Sequence, residues 1–188
     1  GANFWGCVEQ MKTRLHANPV VVTIPAGQDS ALEGVIDLIE MKLITRDLND
    51  ETNRKFFTTE VPERYLAEAQ NCRAQMLDGL SAASDELTEL LVKEQDVPIG
   101  LIRVALRKGT LENIFTPVHC GSSKMFHGVQ QLLDLVVDCL PSPLDRPPVE
   151  GIHPKTKERL TRKPDASEPM CALAFKTVSD PSGDLVYI

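Results

Sequence analysis

The sequence predicts a mixed α/β fold in a soluble chain, and three patterns carry that prediction. Apolar residues recur at helical spacing in several segments, β-branched runs lie between them, and a strand-loop-helix unit occupies residues 114–140. A strand followed by an apolar helix is the repeating unit of a doubly wound sheet. With 42% hydrophobic residues in 188, the chain has enough apolar side chains to fill a core.

Composition excludes several classes of protein. The five cysteines are odd in number and never form a Cys-x-x-Cys pair, so no disulfide framework or zinc site is predicted and a reducing compartment, the cytoplasm, fits best. No apolar run reaches the roughly 18 residues of a membrane span. A formal charge of −7 disfavours free nucleic acid and favours a basic protein partner.

The first predicted elements are a helix and a strand. Asn3 is suited to cap the helix, and His16 lies near its end. The run from Val20 to Ile24 is β-branched almost throughout and is closed by Pro25, which predicts a strand. The apolar stripe of the helix consists of Phe4, Val8, Met11 and Leu15.

Two further extended regions follow. The first begins at residues 34–38 and continues through Leu43, with polar and apolar residues alternating as far as Thr45. The second is the short run from Phe56 to Val61. Together with the first strand, they predict a sheet before the next helices.

From Pro62 the apolar period becomes helical. Ser84 is suited to cap a second helix, with acidic residues in its first turn. A third helix is predicted from Pro98 to Lys108, with Gly109 in the C′ position that ends it. The face of the first of these helices consists of Tyr65, Ala69, Cys72, Met76 and Leu80.

The last third of the chain begins with a predicted strand from Ile114 to Cys120 and an apolar helix over residues 129–140. The Pro-rich and charged segment from Pro141 to Pro169 is typical of a linker. Beyond it, residues 171–178 and 185–188 predict two strands joined by a turn at 179–184. The helix face consists of Val129, Leu132, Leu133, Val136, Val137 and Leu140.

Seven short blocks, in order along the whole chain, resemble the elongation factor G family. They are GANF at 1–4, KTRL at 12–15 with ANPV at 17–20, GVIDL at 34–38, CGS at 120–122, GVQ at 128–130, LPSP at 140–143 and ALAFK at 172–176. Seven ordered blocks are far more specific than any single motif.

The resemblance implies that this chain is an internal piece of a longer protein. Residues 1–16 would be a late helix of a P-loop GTPase (Rossmann-like) domain, 17–112 an inserted α+β subdomain, and 113–143 the last strand and helix of the GTPase core. Residues 144–169 would be a linker, and 170–188 the first strands of a β-barrel domain.

The resemblance also implies an activity, ribosome-dependent GTP hydrolysis that drives translocation in protein synthesis, with GTP or GDP and Mg²⁺ bound in the intact protein. The phosphate-binding Gly-x-x-x-x-Gly-Lys-Ser/Thr loop and the guanine-reading Asn-Lys-x-Asp motif do not occur here. We therefore expect this piece alone to be inactive, with no catalytic residue, no metal ligand and no bound nucleotide.

One nucleotide-contacting element of the family has a counterpart here. Gly121, Ser122, Ser123 and Lys124 follow a predicted strand, where the family has a Ser-Ala-containing turn whose backbone amide is expected to donate to the guanine carbonyl oxygen. Ser123 replaces the usual Ala. Since the contact to guanine is made by the backbone, we expect a serine at this position to preserve it. Without the neighbouring matched blocks, the Gly-Ser-Ser sequence at 121–123 would indicate an ordinary β-to-α loop.

By resemblance, the insert is the surface that contacts the ribosomal stalk protein, and ribosomal RNA is contacted through the intact protein. An acidic helix face attracts a basic partner, although runs of charge often only solvate a surface. The partner-binding residues predicted on this basis are Glu68, Asp78, Asp85, Glu86 and Glu89.

Two alternatives stay open at this point. The chain acts as a stand-alone protein-interaction module, or it belongs to a paralogous ribosomal GTPase such as a tetracycline-resistance protein. The four histidines are not spaced as metal ligands on one element, which favours structural or surface roles for His16, His119, His127 and His153.

Overall fold

The computed structural model describes residues 2–52, 55–181 and 183–188, and the chain divides into two compact units, with the boundary in the sequence between Leu140 and Pro141. Gly1, in the first matched block, and Ser182, in the predicted turn at 179–184, lie outside the described residues. The helices are α1 (Phe4–Leu15), α2 (Glu63–Ser81), α3 (Asp85–Val92), α4 (Ile99–Leu111) and α5 (Val129–Cys139). The strands are β1 (Pro19–Val21), β2 (Thr23–Ala26), β3 (Gly34–Asp37), β4 (Lys42–Arg46), β5 (Phe56–Glu60), β6 (Thr116–Val118), β7 (Val149–Ile152), β8 (Arg159–Arg162), β9 (Lys176–Asp180) and β10 (Gly183–Tyr187).

Helix α1 forms as the sequence predicts. The side chain of Asn3 accepts a hydrogen bond of 2.9 Å from the amide of Gly6, which satisfies one of the free amides of the first turn. The helix ends at His16, whose φ of 53° is left-handed. Val8 is buried, whereas Leu15 is 71% exposed, so the predicted stripe is only partly covered in this unit.

The strand predicted from Val20 to Ile24 is two strands. β1 pairs in parallel with β6, and β2 joins an antiparallel sheet with the order β2-β3-β4-β5. At the junction, the amide of Val22 donates to the carbonyl of Val118 at 2.9 Å. The β-branched run continues through the junction because both halves are buried, so the change of sheet leaves no mark in the sequence.

The predicted continuous extension from residue 34 to Thr45 is a hairpin. Asp37 ends β3, and its carboxylate accepts from the amides of Ile39 at 2.6 Å and Glu40 at 3.2 Å, which closes a turn. Met41 then takes a left-handed φ of 53° before β4 begins. β5 forms as predicted and pairs with β4.

Helices α2, α3 and α4 supply much of the first unit's core. On α2 the predicted face is confirmed, since Ala69, Cys72, Met76 and Leu80 are buried. Ser84 caps α3 as predicted, accepting from the amide of Leu87 at 3.2 Å. The core also contains Ile36, Leu38, Leu87, Ile102 and Leu106.

Gly109 does not end the third helix, as the sequence suggested, but lies inside α4. A Cβ at this position would lie 2.2 Å from the ring of Phe115, so glycine is required by packing. The helix ends at Leu111, and the C′ residue is instead Asn113, with a left-handed φ of 56°. Its amide donates to Thr110, and the amide of Ile114 donates to Gly109, which is the Schellman pattern.

Helix α5 carries the predicted apolar side chains, but they are largely uncovered in this unit. Cys139 is its buried residue. The exposed fractions are 46% for Leu132, 60% for Leu133, 43% for Val136, 76% for Val137 and 51% for Leu140. A contiguous apolar face of this kind favours association with another surface.

We expect the isolated chain to self-associate through α5, and Leu133→Glu combined with Val137→Lys to abolish this. The pair replaces apolar contacts by a favourable i,i+4 ion pair, so the helix is retained. Light scattering over a concentration series measures the effect. The control pair Leu48→Glu and Val92→Lys changes two apolar residues that are 78% and 79% exposed outside α5. Equal self-association of the α5 pair and wild type would contradict the expectation.

The second unit contains two antiparallel hairpins, β7–β8 and β9–β10. The segment predicted to be a linker therefore includes the first hairpin, whose turn is closed by His153 accepting from the amides of Lys155 at 3.3 Å and Thr156 at 3.1 Å. The sequence did not indicate this hairpin, because proline and charged residues in the segment are typical of a linker. The strand predicted from Cys171 begins only at Lys176.

Among the described residues, no helix has the length and apolar character needed to cross a membrane.

Candidate functional site

The loop from Gly121 to His127 connects β6 to α5 and contains the residues predicted to contact guanine. Ser122 and His127 exchange two backbone hydrogen bonds, of 2.9 Å and 3.0 Å, which close the loop at its neck. Within it, the amide of Met125 donates to the carbonyl of Ser122 at 3.1 Å, and Phe126 takes a left-handed φ of 56°. The tip is therefore an ordered turn.

Three backbone amides of this loop are not used in the hydrogen bonds that close it. Among residues 2–52, 55–181 and 183–188, the amides of Gly121, Ser123 and Lys124 have no hydrogen-bond acceptor within the protein. Gly121, Ser123 and Lys124 are all exposed. Unpaired amides on a surface turn are available to an oxygen of a ligand.

Gly121 is fixed by the closeness of the loop to itself. A Cβ here would lie 2.7 Å from the carbonyl oxygen of His127. A real Cβ does not approach a backbone oxygen this closely, so a larger residue would open the neck of the loop. The glycine thus permits the fold of the turn on which Ser123 and Lys124 are presented.

A chain of hydrogen bonds lies beneath the loop. The amide of Cys120 donates to Thr23 Oγ1 at 3.0 Å, Thr23 Oγ1 lies 2.9 Å from His119 Nδ1, and His119 Nε2 lies 2.7 Å from the carbonyl oxygen of Gly128. A carbonyl only accepts, so His119 Nε2 carries a proton. Burial lowers the pKa of His119, which favours the neutral ring, and Nδ1 then accepts from the threonine hydroxyl, whose Oγ1 also lies 3.6 Å from Cys120 Sγ. No pattern in the sequence indicated that these residues meet.

His127 is also buried, with 7% exposure, and among the described residues its Nδ1 has no hydrogen-bond partner. Burial lowers the pKa of His127, and the positive charge of Arg46 lowers it further. Burial likewise lowers the pKa of His119, opposed by its bond to Gly128. The structural role predicted for these two histidines fits their positions, whereas His16 is exposed.

The lowered pKa values predict loss of stability in acid. Both rings bind a proton more readily in the unfolded chain, near the ordinary pKa of 6.5. Their contribution is therefore complete above pH 6.5 and is lost as pH falls through the lower folded pKa values, by at most about 1.4 kcal/mol per pH unit for each ring. Urea unfolding at pH 7 and pH 5 measures this. His127→Phe should reduce the difference and the control His16→Gln should not; an unchanged difference in His127→Phe would contradict the assignment.

The five predicted acidic partner-binding residues are all exposed. Glu68 and Asp78 lie on α2, ten positions apart, which separates them by about 80° around the helix. The other three have local roles. Asp85 and Glu86 lie in the first turn of α3, where negative charge is stabilising, and Glu89 pairs with Lys93 at 3.1 Å. Their partner-binding role stays a prediction.

A cavity of about 210 Å³ lies near the loop and was not predicted. It is lined by residues of β2, β3, β4, β5, α4 and α5, and by His119, which follows β6. At its edge Arg103 pairs with Glu40 at 2.7 Å and Asp138 at 3.1 Å, joining α4 to the β3–β4 turn and to α5. Residues that meet across such sequence distances leave no local pattern from which the cavity could be predicted.

In the described ranges, no three metal-binding side chains come together.

Comparison with known proteins finds translation factors that match the chain from end to end. It is 40% identical over 189 residues to elongation factor G of Aquifex pyrophilus, and 42% identical over 188 residues to elongation factor G of Thermotoga maritima and of Thermotoga petrophila. Each match covers 100% of this chain and 27% of the relative. The resemblance predicted from the seven blocks is confirmed. No family model matches the chain.

A solved structure supports the fold. A crystal structure of a protein from Thermus thermophilus matches 99% of this chain and 28% of its own, with a TM-score of 0.65 and 18% sequence identity. At this identity the likeness shows the fold alone, a mixed α/β arrangement as predicted.

Proposed function

We propose, on the premise that this chain corresponds along its whole length to part of elongation factor G, that the protein containing it is a ribosome-dependent GTPase that drives translocation in the cytoplasm. In this proposal the chain supplies one contact to the guanine base and a surface for the ribosomal stalk protein. The chain spans about 27% of the length of its curated relatives, so the phosphate-binding loop would lie in the remainder.

The observation that carries the guanine contact is the exposed turn with unpaired amides. Ser123 occupies the position whose amide is expected to donate to the guanine carbonyl oxygen, and its amide has no acceptor among the described residues. These amides can donate to an oxygen of the base, but they do not form a site for the phosphates or for Mg²⁺. Phosphates and Mg²⁺ require a phosphate-binding loop and acidic or hydroxyl ligands that the described residues do not provide in one place.

The domain arrangement belongs to the same proposal. A parallel pair requires a long crossover connection, and the one between β1 and β6 includes the antiparallel sheet and helices α2 to α4. This supports assigning β6 to the GTPase core, as the resemblance implies, and it moves the start of the inserted subdomain from residue 17 to the end of β1, so that β1 also belongs to the core. The hairpins of the second unit would begin the β-barrel domain.

Replacing the amide tests the guanine contact. Ser123→Pro removes the N–H at the second position of a turn, where proline is favoured, and Ser123→Ala keeps it. In the full-length protein we expect Ser123→Pro to weaken GDP binding about tenfold, or about 1.4 kcal/mol, and Ser123→Ala to bind as wild type does. Titration calorimetry measures both. Wild-type affinity in Ser123→Pro would refute the assigned contact, and absence of ribosome-stimulated GTP hydrolysis by wild type would refute the function.

The stalk surface is proposed from the resemblance and the charge. The exposed carboxylates of Glu68 and Asp78 would attract a basic helix of the partner. Titration of this chain with a purified stalk C-terminal domain should show saturable binding that Asp78→Lys weakens. Glu150→Lys, the same type of charge reversal at an exposed site in the second unit, should leave it unaltered. Absence of saturable binding by the wild-type chain would refute this part.

A further inference from the structure

We propose that Thr23 and His119 are positioning residues for the guanine contact, because their hydrogen bonds hold both ends of the loop that presents Ser123. This inference rests on the proposed function and assigns the geometry of its base contact to two side chains outside the loop. We assign neither side chain a contact to the nucleotide itself, because Thr23 is buried and both ring nitrogens of His119 are used in hydrogen bonds within the protein.

The connectivity supports this role. The hydrogen-bond chain starts at the amide of Cys120, immediately before the loop, and ends at the carbonyl of Gly128, immediately after it. Between these two points, Thr23 Oγ1 accepts from the backbone and donates to His119 Nδ1. Each bond orients the next donor, and such chains strengthen in a buried setting. The spacing of the loop ends therefore depends on both side chains.

The surroundings leave these side chains little freedom. Thr23 is 4% exposed and Cys120 is 9% exposed, so an unmade hydrogen bond here is not replaced by water. At the other end, the site of a Cβ on Gly128 lies 2.8 Å from His119 Nε2 and 3.1 Å from Val35 Cγ1. The base of the loop is thus packed against the ring of His119 and against β3.

This arrangement links two parts of the chain. Thr23 begins β2 and Val35 lies in β3, both in the antiparallel sheet, whereas His119 follows β6. A change that moves β2 relative to β6 would change the distance from Cys120 to Gly128 and tilt the Ser123 amide. The affinity for the base oxygen would then change while contacts to other parts of the nucleotide would not.

The test uses a nucleotide that lacks the base oxygen. In the full-length protein, the affinities of GDP and of 2-aminopurine riboside diphosphate, which has no oxygen at position 6, are measured by titration calorimetry. The variants are Thr23→Val, which removes the hydroxyl at equal size, His119→Phe, which keeps a ring without hydrogen bonds, and Thr23→Ser, which restores the hydroxyl. Thermal unfolding verifies that each variant is folded.

The expected result is a loss of about tenfold in GDP affinity in Thr23→Val and in His119→Phe, with the affinity for the 2-aminopurine nucleotide unchanged and Thr23→Ser close to wild type. Both single variants remove the bond between Thr23 and His119, and each also removes the bond to one end of the loop, so a folded example of either one decides. Retention of the wild-type preference for GDP in a folded variant would overturn the inference alone. A wild-type protein that binds both nucleotides equally, or neither, would overturn the guanine contact of the proposed function as well.

Discussion

Alanine at position 128 is expected to lower the free energy of unfolding of the first unit by about 2 to 4 kcal/mol. Gly128 has a φ of +75°, and an L-residue in that region costs about 1–2 kcal/mol. The added Cβ would also lie 2.7 Å from the carbonyl oxygen of Cys120 and 2.8 Å from His119 Nε2. Neither group can retreat easily, because one is backbone and the other is held by two hydrogen bonds.

Urea unfolding followed by circular dichroism measures the change in Gly128→Ala. The matched control is Gly100→Ala, because the Cβ added at Gly100 meets nothing within 4 Å and lies in a helix, where alanine stabilises by up to about 1 kcal/mol. If Gly128→Ala unfolded at the same urea concentration as wild type, the inferred close packing around Gly128 at the base of the loop would be wrong. The loop would then be free to change shape around the Ser123 amide.

Elements whose signals are local were predicted well from the sequence. The cap of α1 at Asn3 and the cap of α3 at Ser84 each depend on one side chain and an amide three residues away. The buried face of α2 follows from helical periodicity alone. The position of the loop of Gly121 to Lys124 was also predicted, because a strand, a Gly-Ser-Ser turn and a helix follow each other directly in the chain, whereas its contact to guanine rests on the family resemblance and stays a prediction.

Features that depend on distant contacts could not be predicted. Thr23 and His119 are 96 positions apart, and neither residue type distinguishes a buried hydrogen bond from a surface position. The break between β1 and β2 was missed because apolar β-branched residues suit both sheets. The turn after Asp37 was missed for a related reason. Polar and apolar residues alternate from Glu40 to Leu43, across the end of the turn, whereas the reversal depends on one carboxylate and a left-handed Met41.

Gly109 shows most directly how a correct residue type was given the wrong role. A glycine near the end of a helical pattern favours the C′ position, where it relieves left-handed strain. In the structure it lies within α4, and the missing side chain makes room for the ring of Phe115, which is 3% exposed. Under the first explanation an alanine variant loses stability through backbone strain, whereas under the second it loses stability through contact with that ring, so only the second loss depends on the residue at position 115.

Gly109→Ala is therefore expected to destabilise the first unit by about 2 kcal/mol or more, although alanine is the better helix former by about 1 kcal/mol. The added Cβ would lie 2.2 Å and 2.3 Å from two ring atoms of Phe115, and a buried ring has no space into which to turn. Calorimetric melting of the chain measures the loss, with Gly100→Ala as the control on the same helix.

The double variant Gly109→Ala with Phe115→Leu separates packing from helix propensity. A leucine occupies less of the space beside the helix, so the two changes should be less destabilising together than the sum of the single effects. Additive losses, or a stabilised Gly109→Ala variant, would mean that the ring does not fill the place of the missing side chain. The contact matters for the site because Phe115 leads directly into β6, from whose end His119 and the loop continue.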